Sequence, residues 1–332
     1  MIAAAPAHCP PLRLIPTSLL LAATAAFLGL TGCATMKTPP RALEVTGPQD
    51  DEVQLQILLD AQHFGPGVVD GHAGEFTQKA LAFYRQAKGL AGDAVPDASG
   101  IQPYTTYTIT ADDRKVLGTM ASEPADIAKQ ERLPYTSLVE LLGERFHTTQ
   151  AFIIHLNPGK DVNALPVGAI VNVPNIDKPF RADRFTSNYP SPPASVAKTR
   201  HVVVDTHEHM MQVREGSQLI AAFPITPGSS DHPAPIGEWH VVGAVPWPWY
   251  RYDEGVLERG ERTATFFQFP PGPNSPVGIL WTGLNHPGVG IHGTTNPETI
   301  GRAGSHGCIR LANWDAATFY TLVQKNMPVT IR

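Results

Sequence analysis

Residues 201–226, HVVVDTHEHMMQVREGSQLIAAFPIT, alternate short Val, Ile and Phe runs with turn residues, the period-two signature of half-buried strands. Similar runs recur at Trp239–Val245 and Val277–Trp281, with Gly and Pro between them, and a helix is expected only near the end, from about Asn313 to Asn326. The texture predicts a mainly-β barrel or sandwich over residues 199–332. Two segments within it carry chemistry: Ile291-His292-Gly293-Thr294, and Ser305-His306-Gly307-Cys308-Ile309-Arg310-Leu311. A thiol becomes a useful nucleophile as thiolate, which calls for a nearby base or cation. His292, distant in sequence as Cys/His partners usually are, is the expected base for Cys308, its tautomer fixed by the Gly293 carbonyl or a neighbouring backbone oxygen. His306 shares the face of Cys308 on an extended run and need not reach the sulfur on a turn.

Ser305, His306, Gly307, Arg310 and Gly293 are the candidates for substrate and oxyanion contacts. The N–H groups of Gly307 and Cys308 suit an oxyanion. Arg310 either adds positive potential for a thiolate and a substrate carboxylate or braces the loop. Ser305 reads as a turn-stabilising hydroxyl. A cysteine beside imidazole and Arg310 is expected to hold more thiolate than a free thiol, whose pKa is about 8.5. His207 and His209, read as alternating on one strand face beside Asp205, offer a rival metal site together with His201. They lack a helical ligand motif, and no metal or other cofactor is expected. The aromatic loop Trp247, Trp249 and Tyr250 reads as a lid over the substrate cleft.

The remaining sequence divides by composition. Residues 176–198, rich in Pro, Ser and charge, read as a linker. Residues 98–175 combine an irregular or short-stranded stretch with Tyr135–Asn175, where Leu138, Leu141, Leu142 and Phe146 mark a helix, a second helix ends near Asn157-Pro158, and Ala169–Val173 marks a strand. In residues 51–97, Val53, Ile57, Ala61 and Phe64 form one helical stripe, and Phe76, Ala80, Tyr84 and Ala87 a second. Residues 33–50 read as a polar tether and residues 1–32 as a signal peptide, whose apolar run Leu19–Leu30 is short for a membrane span. The 332 residues carry a formal charge of −5, which argues against a nucleic-acid partner. Of three cysteines, Cys9 lies in the leader and Cys33 at its end, leaving Cys308 as the free thiol.

The motifs resemble known families. His292-Gly293-Thr294 followed by Ser305 to Leu311, with Cys308 sixteen residues after His292, resembles the L,D-transpeptidase (YkuD-like) catalytic domain. Pro235-Ile236-Gly237-Glu238-Trp239 and Pro273 to Gly278 look like two further marks of that family. The resemblance implies a Cys308 thioester with peptidoglycan stem tetrapeptides and a 3→3 cross-link. Water in place of the acceptor amine would give an L,D-carboxypeptidase or amidase, and a decayed wall-binding anchor is a third reading. LQILLDAQHFGPGVVDGHAGEFTQKALAFYRQAKGL, residues 55–90, resembles a small three-helix peptidoglycan-binding domain, and Tyr135–Asn175 a degenerate LysM glycan-binding module without its opening strand. Leu30-Thr31-Gly32-Cys33 resembles a bacterial lipobox. It implies lipidation of Cys33, a membrane anchor and a periplasmic site, with Ala34 favouring the outer membrane. The fold expected is therefore multidomain, a mainly-β catalytic domain behind a helical domain and an α+β LysM-like unit, with stem peptides and possible glycan strands as partners.

Overall fold

Three acidic residues, Asp50, Asp51 and Glu52, open helix α1 (Asp50–Ala61) and suit the positive end of its dipole. The fold is a computed structural model that describes residues 47–332 apart from 230 and 303–306, and gives no side chains for 257–259. The signal-peptide, lipobox and Cys33 expectations, with Ser305 and His306, lie outside the described residues.

Helix α2 (Glu75–Lys88) ends at Gly89, whose left-handed backbone closes it. Residues 51–97 thus hold two helices, and they have no core of their own. Leu55, Leu59, Phe64, Ala80 and Leu81 pack with Met210, Leu219 and Ala222 of the later sheet, and the Gly65 N–H donates to the Ala222 carbonyl at 2.8 Å.

Strand β1 (Tyr104–Thr108) precedes helices α3 (Ala111–Lys115), α4 (Pro124–Ile127), α5 (Leu138–Arg145) and α6 (Gln150–His155), and strand β2 (Ile170–Pro174) closes the unit. β1 runs antiparallel to β2, with Tyr104 opposite Pro174 and Thr108 opposite Ile170. The partner strand of β2 thus lies upstream of Tyr135. Its sequence, Tyr-Thr-Thr-Tyr-Thr, is mostly exposed and carries no aliphatic alternation.

Residues 176–198 are no free linker. Phe180, Phe185 and Tyr189 are buried, and Phe185, opening helix α7 (Phe185–Asn188), meets Trp247 edge-on at 6.0 Å and Tyr320 at 5.4 Å. The Pro and Ser content describes the exposed side of this strap; three aromatics fasten the other.

The rest is the expected mainly-β domain. Strands β3 (Arg200–Asp205), β4 (Met210–Glu215), β5 (Gln218–Pro224) and β6 (Gly237–Pro246) come first, then the small pair β7 (Tyr250–Tyr252) and β8 (Phe267–Phe269) around helix α8 (Glu254–Arg259). They are followed by β9 (Leu280–Leu284), β10 (Gly290–His292), β11 (Ile309–Arg310), helix α9 (Asn313–Tyr320) and β12 (Pro328–Ile331). The main sheet has eight strands in the order β11-β10-β9-β6-β12-β3-β4-β5. α9 is shorter than expected, because residues 321–327 turn toward β12. His207 and His209 do not alternate on a strand: residues 206–209 form the β3–β4 turn, in which the Asp205 carboxylate accepts from the N–H groups of His207 and Glu208. Among the described residues no group of three His, Cys, Asp or Glu side chains could hold a metal ion.

Candidate active site

The parallel pairing of β10 with β11 sets Ile291 beside Ile309 and His292 beside Arg310. Side chains alternate along strands, so the fully buried Ile291 and Ile309 face the core, while His292 and Arg310 share the other face. Cys308 lies in the bend directly before β11. On the other side of β10, His292 pairs with Trp281 of β9, whose indole stacks on the imidazole at 5.5 Å. Arg310 is itself pinned by a backbone bridge to Thr226, each N–H donating to the other's carbonyl.

His292 is 4% exposed, and its Nδ1 lies 2.7 Å from the Gly293 carbonyl. A carbonyl only accepts, so the proton sits on Nδ1 and the Nε2 lone pair is left for proton transfer. Burial, with a smaller contribution from the positive charge of Arg310, lowers the imidazole pKa to about 4 against the pull of the Gly293 bond. Cys308 is partly open to solvent, and its thiol donates to the Gly288 carbonyl at 3.5 Å. Desolvation raises its pKa; a backbone bond from Gly290 and the charge of Arg310 pull the other way without prevailing. The resting pair is thus neutral thiol and neutral imidazole, which corrects the expectation of an enriched thiolate. Arg310 supplies the anticipated positive field, but burial outweighs it.

Gly307 has φ +89°, a left-handed backbone that strains any other residue. It lets the chain turn directly ahead of Cys308. Gly293 is required for space: a Cβ there would strike the Asn313 Oδ1. That oxygen accepts from the N–H groups of Thr294 at 3.2 Å and Ile279 at 3.3 Å, tying the segment after His292 to the start of β9. The aromatic loop divides. Trp247 packs inward against Phe185 and so does not form part of a lid, whereas Trp249 is 61% exposed. The Tyr250 phenol is raised first by burial and then by the nearby Cys308, with Arg310 opposing. Trp281 and Asn313 escaped the sequence reading: a tryptophan in a β run reads as core, and an asparagine at a helix start reads as a cap.

Residues 199–331 match the family model of YkuD, the L,D-transpeptidase catalytic domain. The chain is 25% identical over 193 residues to the YkuD protein of Bacillus licheniformis, covering 58% of this chain and 92% of the relative. It is 26% identical over 136 residues to the YqjB protein of Bacillus subtilis, covering 40% and 70%. Among solved structures, an L,D-transpeptidase of Enterococcus faecium aligns at 23% identity and a TM-score of 0.33, over 40% of this chain and only half of that one. The family match is confined to residues 199–331, the part of the chain that carries His292 and Cys308.

Proposed function

We propose that the protein is a cysteine-dependent L,D-transpeptidase that cross-links peptidoglycan stem tetrapeptides through a thioester on Cys308. The observation that carries this reading is the Nδ1–Gly293 bond, which leaves Nε2 of His292 as acceptor on the strand paired with the one that directly follows Cys308. In this scheme the Sγ of Cys308 attacks the carbonyl carbon between the third stem residue and the terminal D-Ala, while Nε2 takes the thiol proton. The tetrahedral adduct collapses, the C–N bond breaks, and the imidazolium returns that proton to the leaving amine. An amine of a neighbouring stem then attacks the thioester and loses its proton to Nε2. Collapse expels the thiolate, which is reprotonated. A neutral thiol with a neutral base matches this order of proton movements. The backbone N–H groups of Gly307 and Cys308 are the candidate donors to the oxyanion, and Arg310 offers a cation for a stem carboxylate.

Mass spectrometry of products formed by the full chain from disaccharide tetrapeptides tests the reading. 3→3 dimers that vanish in Cys308→Ala are expected. Tripeptide monomers alone would make water the acceptor, and turnover by Cys308→Ala would end the cysteine mechanism. The protein also fits a periplasmic, lipid-anchored enzyme, with Cys33 as the lipidated residue and residues 51–175 as the part that meets the wall. Labelled palmitate should enter the wild type and not Cys33→Ala; label kept by the variant would exclude the anchor.

A further inference from the structure

The amide of Asn313 has two ends with different partners. Its Oδ1 accepts from Thr294 and Ile279 beside His292; its Nδ2 donates to the Pro273 carbonyl at 3.3 Å and to the Glu144 Oε2 at 3.0 Å. Glu144 belongs to α5, outside the catalytic domain, and its other carboxyl oxygen lies 2.5 Å from the Tyr135 hydroxyl. All of these side chains are buried: Tyr135 is 1% exposed, Glu144 5%, Asn313 0% and Thr294 5%. One continuous polar chain therefore runs from Tyr135 through Glu144 and Asn313 to the Gly293–Thr294 segment, whose carbonyl holds His292. A buried amide with two backbone donors on one side and an acceptor pair on the other has a single satisfactory orientation. Remove the Glu144 acceptor, and Nδ2 keeps only the longer bond to Pro273.

We propose that Glu144 is a positioning residue for the transpeptidase reaction: through Asn313 it fixes the Gly293–Thr294 segment and with it the tautomer and aim of His292. The assignment rests on the function proposed above, and it makes the unit spanning residues 98–175 a working part of the catalytic site. Burial raises Glu144 to about 8 against the bonds donated by Tyr135 and Asn313, with Glu140 adding to the rise, so the protonated carboxyl is populated at neutral pH. Gln, the isostere of that protonated form, should therefore replace it.

The test compares wild type, Glu144→Gln and Glu144→Met in the full chain. Each is followed in cross-linking kinetics and in the imidazole nitrogen signals of His292 by NMR. Glu144→Met should lower kcat about tenfold to a hundredfold with KM within about threefold, as expected for a misaimed base, and should shift the Nδ1 signal of His292. Glu144→Gln should restore both to near wild type. Full kcat in a folded Glu144→Met overturns the proposal, as does a Glu144→Gln protein whose His292 signals are displaced. The second outcome decides the matter even when Glu144→Met fails to fold. A wild type that makes no product defeats the transpeptidase reading, while the NMR comparison still reports on positioning.

Discussion

At the scale of single residues, chemistry turns on two opposed demands that burial places on Cys308 and His292. Desolvation disfavours each charged form, so the thiol keeps its proton and the imidazole stays free of one. The imidazole, lowered to about 4, is a competent base above that value and is lost as pH falls through it. The acid limb of kcat/KM should accordingly lie near pH 4, well below the 6.5 of an ordinary histidine. A limb near 6.5 would show that solvent reaches the ring. The raised thiol predicts that iodoacetamide modifies Cys308 more slowly in the native protein than in the urea-unfolded chain at pH 7.5, scored on the Cys308 peptide alone. His292 and Cys308 could be nominated from sequence because His-Gly-Thr and Gly-Cys-Ile-Arg are dense in reactive types. Their protonation state could not, because motif spacing says nothing about desolvation.

Among elements, the strap and α5 show where periodicity succeeds and where it is silent. The apolar residues of α5 follow the expected helical spacing, Leu138, Leu141 and Leu142 all pointing inward. Glu144 and Arg145 on the same helix are buried too, which no hydrophobic pattern announces. Arg145 is held by Asp113 and Glu144 by Tyr135 and Asn313. Glu144 has a folded pKa raised from 4.5 to about 8. Its protonated form is thus favoured by folding, and stability present below about pH 4.5 is lost progressively as pH rises toward 8. Glu144→Gln, which has no proton to lose, should melt close to wild type at pH 4.5 and several degrees above it at pH 8. Equal melting points at both values would mean the carboxyl is not desolvated. Phe185, sealed between Trp247 and Tyr320, should cost about 3–5 kcal/mol when changed to Ala, measurable by urea unfolding. A loss under about 1 kcal/mol would return residues 176–198 to the status of a linker.

On the scale of the molecule, the catalytic domain is packed against the segments that precede it. Phe76 of α2 lies against Gly301, on the segment leading to Cys308. His147 stacks on Trp314 at 5.3 Å while its Nδ1 meets Asp60 at 3.0 Å. Asn274 donates to Glu140 at 2.6 Å, and the Gln150 N–H to Glu298 at 2.9 Å. A fragment of residues 199–332 would uncover Met210, Leu219, Ala222 and Trp314, all buried in the whole chain. It should aggregate or lose its near-ultraviolet signal. A soluble, fully active fragment would show that the N-terminal units are dispensable.

The sheet order has a consequence in time. β12, the latest strand of this sheet in chain order, lies between β6 and β3, antiparallel to one and parallel to the other. Until Pro328–Ile331 leaves the ribosome, the two halves of the sheet have no strand to join them, and the histidine and thiol stand on an unsupported half. A nascent chain with this wiring keeps its sheet unclosed until the segment that forms β12 has been made.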